Sequence, residues 1–228
     1  MAVTRAVPRG RFRRLIGFRR RLDLPDRYRD MIARHAAGRS FADVGCMWNV
    51  DGAYAFHAVD AGATRVVGVD LMPPSPAFDA ENLRRGNPVR FVQGDVNEPA
   101  TTAAVGVVDV VFCSGVLYHV PSPLLTLDRL RSICATTLIL VSAVIREQDA
   151  PQAAVFLPHL DERARRALAY RSRHVRLGLD TAFVPTDGYG NWYWAFTPSC
   201  VEAMVRTAGF RISERYAYPH AICLVCHP

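Results

Sequence analysis

Residues 40–70 read SFADVGCMWNVDGAYAFHAVDAGATRVVGVD. The stretch predicts a strand, a turn, a helix, a second strand and an acid at that strand's tip. Phe41 to Val44 is a short run ending at Gly45, as a strand entering a tight turn does. Gly45 and Gly52 permit backbone angles that a Cβ forbids, so the loop between them is expected to approach a ligand closely. Ala53 to Ala61 puts Ala53, Phe56 and the ring face of His57 at helical spacing, and Gly62 suits the C′ position that stops a helix. Thr64 to Val69 is rich in β-branched residues. Asp70 then falls at the carboxyl end of that strand, at the open edge of a parallel sheet. A carboxylate there can accept hydrogen bonds from both hydroxyls of a ribose.

The glycine spacing departs from the dinucleotide fingerprint. G-x-G-x-x-G requires glycine at Met47 and again near Val50, and neither position has one. The loop is also longer and carries Trp48. A cofactor with an adenosine but no pyrophosphate suits it better, which points to S-adenosylmethionine. The competing reading is an α/β core whose Gly and Asp serve only turns.

Working outward, the same alternation continues. Met72-Pro73-Pro74 is a loop, Ala77 to Arg85 a helix, and Val89 to Val92 a third strand that leaves through Gln93-Gly94-Asp95-Val96. Val105 to Cys113 is nearly all apolar, as a strand buried on both faces should be. Pro123 to Ile133 is a helix with Leu124, Leu127, Leu130 and Arg131 on its inner side, and Thr137 to Val144 is the fifth strand. Thr197-Pro198 starts a helix with Thr as N-cap and Pro at the first helical position. Val201, Met204, Val205 and Ala208 form its buried face, and Gly209 ends it. Phe210 to Tyr218 and Ala221 to Cys226 pair as a closing hairpin. The fold class is therefore α/β: a doubly wound, Rossmann-like sheet of seven strands, mostly parallel, with an antiparallel terminal strand.

Residues 145–196 break the rhythm and are too long for a simple connection. They hold a charged helix-like piece, Leu160 to Arg176, and an aromatic cluster at Tyr189, Trp192, Tyr193, Trp194 and Phe196. Their place after the fifth strand marks them as a substrate lid, or else as a packing flap without ligand contact. The domain plan is a basic N-terminal arm and helix over residues 1–39 and one catalytic domain over residues 40–228, with the lid inside it.

All 28 basic residues are Arg, and the chain has no Lys. Pyridoxal Schiff-base chemistry and P-loop phosphate binding are thereby excluded. The arm segment RGRFRRLIGFRRR, residues 9–21, is either a solvated tail or a contact for nucleic acid or another acidic surface. Arg27 to His35 reads as a helix covering the sheet edge. No run of 18 apolar residues exists, and the start lacks the apolar core of a secretory signal. The six cysteines are accordingly read as reduced thiols in a cytoplasmic protein. Cys223-x-x-Cys226-His227 matches a haem-attachment pattern, but in a terminal strand the period of two puts the pair on opposite faces, and no His/carboxylate spacing calls for a metal.

Four landmarks in this order resemble the class I S-adenosylmethionine-dependent methyltransferases: DVGC at 43–46, GVD at 68–70, QGDV at 93–96 and VDVVFCSGVLYHVPSP at 108–123. The resemblance covers residues 40–145 and resumes through the Thr197 helix and the last two strands. It implies that the Gly45–Cys46 loop holds the methionine part, aided by Asp43. It implies that Asp70 binds the ribose hydroxyls, with Leu71 beside it, and that Asp95 and the Val96 backbone meet the adenine. Ser114 and Gly115 would line the floor beneath the sulfonium methyl. The first loop departs from the family pattern through its MWNV insert, so Trp48 either covers the cofactor or points at substrate. GVLYHVPSP and WYWAFTPSCVEAMVRTAGF are also similar to the tRNA wobble-uridine carboxymethyltransferases. Those bind a carboxylated cofactor with basic side chains that include Lys, which this chain lacks, so methyl transfer is the better reading.

Methyl transfer from a sulfonium is an in-line displacement, in which the protein aligns the nucleophile, excludes water and takes a proton where the acceptor carries one. His119, five residues past Ser114, is the candidate base, with His159 and His174 as weaker alternatives. Tyr118 would orient the acceptor or cover the cofactor. The expected acceptor is a small molecule, aromatic or hydrophobic, methylated at oxygen. An RNA-directed transferase or a non-catalytic adenosyl-cofactor-binding protein are the alternatives.

Overall fold

The computed structural model describes residues 23–168 and 181–228. Helix α1 (Leu24–Ala36) leads into strands β1 (Ser40–Val44), β2 (Arg65–Asp70), β3 (Val89–Gln93), β4 (Val108–Ser114) and β5 (Cys134–Ala143). They are linked in turn by α2 (Ala53–Asp60), α3 (Pro76–Arg84), α4 (Pro99–Val105) and α5 (Pro123–Ile133). A two-stranded sheet of β6 (Ala154–Phe156) and β7 (Trp194–Phe196) flanks α6 (Glu162–Leu168). The chain returns through α7 (Pro198–Thr207), β8 (Arg211–Tyr218) and β9 (Ala221–His227). The main sheet has seven strands in the order β3-β2-β1-β4-β5-β9-β8, and β9 runs antiparallel to both of its neighbours. Strand order reverses between β1 and β4, which opens a crevice at their carboxyl ends.

The strand sequences explain the layering. In β4, Val108, Val111 and Cys113 face one core with α4, α5 and α7, while Val110 and Phe112 face the other with α1, α2 and α3. A strand buried on both faces is expected to be apolar along its length, and the middles of β4 (residues 110–113), β5 (residues 138–141) and β9 (residues 222–226) are. Cys223 and Cys226 fall in opposite cores, as the period of two predicts. Helix starts carry their own chemistry. Ser75 Oγ accepts the amide of Phe78 at 3.1 Å, and Thr197 Oγ1 accepts that of Cys200 at 3.3 Å, each with Pro in the first helical turn.

The structure corrects the sequence reading in several places. Val105 ends the short helix α4 instead of starting β4, and Gly106 at φ +71° stops that helix. Its sequence, PATTAAV, is too short and too Thr-rich to show an amphipathic period. Leu124 is exposed; the buried positions of α5 are Thr126, Leu127, Leu130 and Ile133. Thr126 can take an inner position because its hydroxyl donates to Asn97 Oδ1 at 2.8 Å. Gly52 also has a packing role. It is the left-handed N-cap of α2, and a Cβ there would lie 2.5 Å from the Phe78 ring. Within the charged stretch Leu160–Arg176, α6 covers only Glu162–Leu168, and the part from 169 onward lies outside the described residues.

Helix α1 belongs to the domain itself. Met31, Ile32 and Ala36 are fully buried in the core over β4 and β5, and Arg34 forms a two-pronged ion pair with Glu214 of edge strand β8 at 2.8 and 3.0 Å. The basic segment before it, residues 1–22, lies outside the described residues. Among the described residues no helix is long and apolar enough to cross a membrane.

The turn after β3 has little room. A Cβ on Gly94 would lie 2.4 Å from Thr101 Oγ1. Gly94→Ala is expected to destabilise the chain by about 1–3 kcal/mol in urea unfolding, as other overpacked sites do. Adding Thr101→Ala should restore most of that loss; a double variant no more stable than the single one would refute the contact as the cause.

Candidate active site

The polar residues singled out in the sequence converge on the carboxyl ends of β1, β2, β3 and β4. The first loop is built on backbone bonds. Gly45 N–H donates to Val69 O at 2.9 Å, and Gly52 N–H donates to Cys46 O at 2.7 Å. Gly45 sits at φ +82°, and a Cβ there would come within 2.7 Å of Val116 Cγ2. This tight approach of the loop to the segment that leaves β4 is what the glycine is for. Cys46 turns its thiol into the core, where burial pushes its pKa up, so only its backbone lies along the loop. Trp48, at the loop's outer bend, is 60% exposed.

Asp70 fastens this loop to the tip of β2. Its Oδ2 accepts Met47 N–H at 2.7 Å and its Oδ1 accepts Met72 N–H at 2.9 Å. Each oxygen keeps a further acceptor position. Leu71 and Met72 beside it are exposed apolar side chains. At the tip of β3, Asp95 Oδ1 accepts Asn97 N–H at 2.8 Å and Oδ2 accepts the Tyr189 hydroxyl at 2.7 Å. The side chain of Val96 packs into the core, leaving its backbone at the strand exit.

Asp43 is 1% exposed, and its Oδ2 has no hydrogen-bond partner. Burial, with the nearby charge of Asp70 adding to it, raises its pKa to about 7 against a bond from the Ala55 amide. A buried carboxylate with one oxygen unpartnered beneath a glycine loop is suited to a cationic group.

Beyond β4, Ser114 and Gly115 lead into a short 3-10 turn, Leu117–His119. Gly115 sits at φ +77°, and its Cα hydrogen side faces the Tyr118 hydroxyl, 3.3 Å from where a Cβ would stand. Burial pushes the Tyr118 hydroxyl up to about 12. His119 Nδ1 lies 2.8 Å from Asn191 O. A carbonyl only accepts, so Nδ1 carries the proton and Nε2 keeps its lone pair. Burial holds His119 below its ordinary pKa, more than the bond to Asn191 raises it. Around it stand Tyr118 at 4.4 Å, Trp192 at 5.4 Å and Trp48 at 6.4 Å between ring centroids.

The aromatic cluster of the insertion divides. Tyr189 and Trp192 join the site, the latter with its ring 4.1 Å from that of Tyr118. Trp194 instead packs on Phe156 and Phe196 and donates its N–H to Pro121 O at 3.1 Å. His159 is exposed and packs on Phe183, His57 bonds to Arg29 O, and His174 lies outside the described residues.

Sequence reasoning missed three contributors. Tyr28 of α1 shares a hydrogen bond with Ser114 and packs on Tyr54 and Phe112. Met47 supplies the amide that Asp70 holds. Asn191 is buried and clamps its turn, accepting Val184 N–H and donating to the carbonyls of Val184 and Gly188 while its own carbonyl meets His119. An asparagine beside glycines was a signal for a turn, but its partner at His119 is 72 residues away.

A glycine loop after β1, an acid at the tip of β2 and a ligand crevice at the switch point define the nucleotide-cofactor class of doubly wound α/β proteins. A family model described as "Methyltransferase domain" matches residues 42–137. Among solved structures, the chain is similar to 1,6-didemethyltoxoflavin-N1-methyltransferase from Burkholderia thailandensis with bound 1,6-didemethyltoxoflavin and S-adenosylhomocysteine (18% identity, 88% of this chain and 76% of that one, TM-score 0.59). It is similar to an S-adenosylmethionine-dependent methyltransferase from Mesorhizobium loti (13% identity, 89% and 96%, TM-score 0.56) and to the [4+2]-cyclase SpnF (14% identity, 89% and 80%, TM-score 0.59). No curated protein matches by sequence. At these identities the likeness is one of fold, and the presence of a cyclase shows that this fold carries more than one reaction. Over residues 42–137 the chain carries a methyltransferase domain, and its fold is that of the S-adenosylmethionine-dependent methyltransferases it is similar to.

Asp43 ties stability to pH. Its folded pKa of about 7 lies above the unfolded 3.8, so its contribution is complete below 3.8 and is lost as pH rises through about 7. Relative to Asp43→Asn, which does not titrate, the native chain should therefore lose stability between about pH 4 and about pH 7 and change little above that. Urea unfolding across that range checks it; parallel pH profiles for the two proteins would refute it.

Proposed function

We propose that the chain transfers a methyl group from S-adenosylmethionine to a small, flat acceptor, at oxygen, with His119 taking the acceptor's proton. The observation that carries this reading is the state of His119. Its proton is pinned on Nδ1 by Asn191 O at 2.8 Å, burial keeps the ring neutral, and Nε2 is left as a base at neutral pH. The tip of β4, from which His119 follows, is where the reading puts the reacting atoms.

The residues fit the cofactor. Asp43 offers an unpartnered buried acceptor to its charged methionine part, and the Gly45 loop offers a backbone with no side chain in the way. Asp70 has acceptor positions left for two ribose hydroxyls. Leu71 gives an apolar surface for the adenine, whose amino group is read by Asp95 with the Val96 backbone. Bound there, S-adenosylmethionine supplies an electrophilic methyl group. Ser114 and Gly115 form the floor below it, and Tyr118 orients the acceptor. Segment 145–196 acts as the lid that keeps water out, with Trp192 as its inner wall.

Aromatic walls favour a flat acceptor because rings bury a large area with few rotors to freeze. Trp48 lies within 23° of parallel to His119 and stays exposed, which supports its role as a wall on the acceptor side. Nitrogen is the second acceptor atom to test, since the Burkholderia neighbour is an N1-methyltransferase.

His119→Ala is expected to lower kcat by roughly 10²–10⁴-fold while S-adenosylhomocysteine binds almost as before. In the native enzyme the acid limb of kcat/KM should have its midpoint below 6.5, the unperturbed histidine value, and this limb should be missing from the variant. An unchanged kcat would rule His119 out as the base.

Asp70→Ala removes the ribose contacts and frees the amides of Met47 and Met72 together. It should weaken S-adenosylhomocysteine binding by at least the roughly 1.5–3 kcal/mol of one hydrogen bond to a charged group. Calorimetry giving native affinity in a folded variant would remove Asp70 from the cofactor site.

A further inference from the structure

We infer that Tyr189 is a positioning residue that couples recognition of the cofactor's adenine to closure of the turn at residues 185–192 over His119. The inference rests on the adenosyl-cofactor reading of Asp95. The Tyr189 hydroxyl donates to Asp95 Oδ2 at 2.7 Å, and Asn97 Nδ2 lies 3.5 Å from the same hydroxyl. Asn97 is itself held, through its Oδ1, by the buried Thr126 hydroxyl of α5 at 2.8 Å. The acid at the tip of β3 is thus bonded to the insertion on one side and tied to the domain core on the other.

Two residues further along, the insertion reaches the opposite end of the crevice. Asn191 O accepts the His119 Nδ1 proton at 2.8 Å, and the Trp192 ring lies 4.1 Å from that of Tyr118. Residues 189–192 therefore span from the expected adenine acid to the expected base. They move as one piece, because the Asn191 side chain bonds back to Val184 and Gly188 and closes the turn on itself. Displacing Tyr189 must shift the carbonyl that fixes the His119 tautomer.

The adenine's amino group has room beside Tyr189. A carboxylate has about four acceptor positions, and the Asn97 amide and Tyr189 hydroxyl occupy two of them. Burial and the neighbouring carboxylate push the Tyr189 hydroxyl up to about 12, so it stays a donor at any working pH. An adenine lying against Asp95 would shield the Tyr189–Asp95 bond from water and strengthen it. Cofactor binding then holds residues 189–192 in place, which orders His119 for the acceptor.

The test uses the full chain labelled with 5-fluorotryptophan, whose three tryptophans each give a fluorine resonance. Without cofactor, Tyr189→Phe and Asp95→Ala should each move the Trp192 resonance. Trp194, anchored to Pro121 and the second sheet, should keep its position. Saturating S-adenosylhomocysteine should shift Trp192 in the native chain and shift it less in Tyr189→Phe. Calorimetry should show about 3- to 10-fold weaker S-adenosylhomocysteine binding in Tyr189→Phe, the effect of one hydrogen bond. A Trp192 resonance unmoved by Tyr189→Phe, with native S-adenosylhomocysteine affinity, overturns the coupling alone. A native chain that binds no S-adenosylhomocysteine overturns the cofactor reading and the coupling with it.

Discussion

The carboxylate of Asp70 accepts two backbone amides, from Met47 at 2.7 Å and from Met72 at 2.9 Å, and the rest of the site depends on that arrangement. The first amide belongs to the loop after β1 and the second to the exit from β2. One side chain therefore fixes the shape of both walls at the centre of the crevice. The loop is held besides by its own backbone bonds and by the buried side chains of Cys46 and Met47, while Trp48 reaches into solvent and Asn49 and Asp51 stand at positive φ.

The second constraint is burial. Helices cover both faces of the sheet, so β1, β4 and β5 have no polar exit except at their ends. Asp43 is the exception that shows the rule. It lies inside β1 with one oxygen unpartnered, and its pKa rises to about 7 in response. Such a group is costly to the apo fold and is the kind of cost that a cofactor site carries. His119 shows the opposite case. Burial lowers its pKa, and a single backbone carbonyl determines which nitrogen is free.

The insertion meets the crevice at two of its groups, Asp95 through Tyr189 and His119 through Asn191. Backbone bonds join it to the domain, Tyr193 N–H to Tyr118 O at 2.8 Å and Thr197 N–H to Ala153 O at 3.0 Å, and others close it on itself, Ile145 N–H to Phe196 O at 2.9 Å and Leu157 N–H to Tyr193 O at 2.8 Å. Glu147 adds a carboxylate that accepts the amide and hydroxyl of Ser199 at the start of α7. The part that lies over the crevice is the turn Pro185–Gly190 with Asn191 and Trp192. Of the remaining aromatic residues, Trp194 and Phe196 serve the second sheet and the core, and Tyr193 packs on Phe183.

The sequence by itself determined the doubly wound sheet, the closing hairpin and the strand-end position of Asp43, Asp70, Asp95 and Ser114. Those follow from local rules: period-two burial, proline at helix starts, glycine at positive φ, and a carboxylate following an apolar strand. Local rules also explain the failures. PATTAAV of α4 carries no period, and Leu124 looked buried until Thr126 found a polar partner on another element. What only the tertiary structure decided was which groups meet across long separations. Tyr28 reaches Ser114 from the first helix, Asn191 selects the nitrogen of His119, and Tyr189 rather than Trp194 lies on Asp95. Side-chain pairings of this kind depend on where separate elements pack, and no spacing along the chain encodes a contact between residues 94 positions apart, as Asp95 and Tyr189 are.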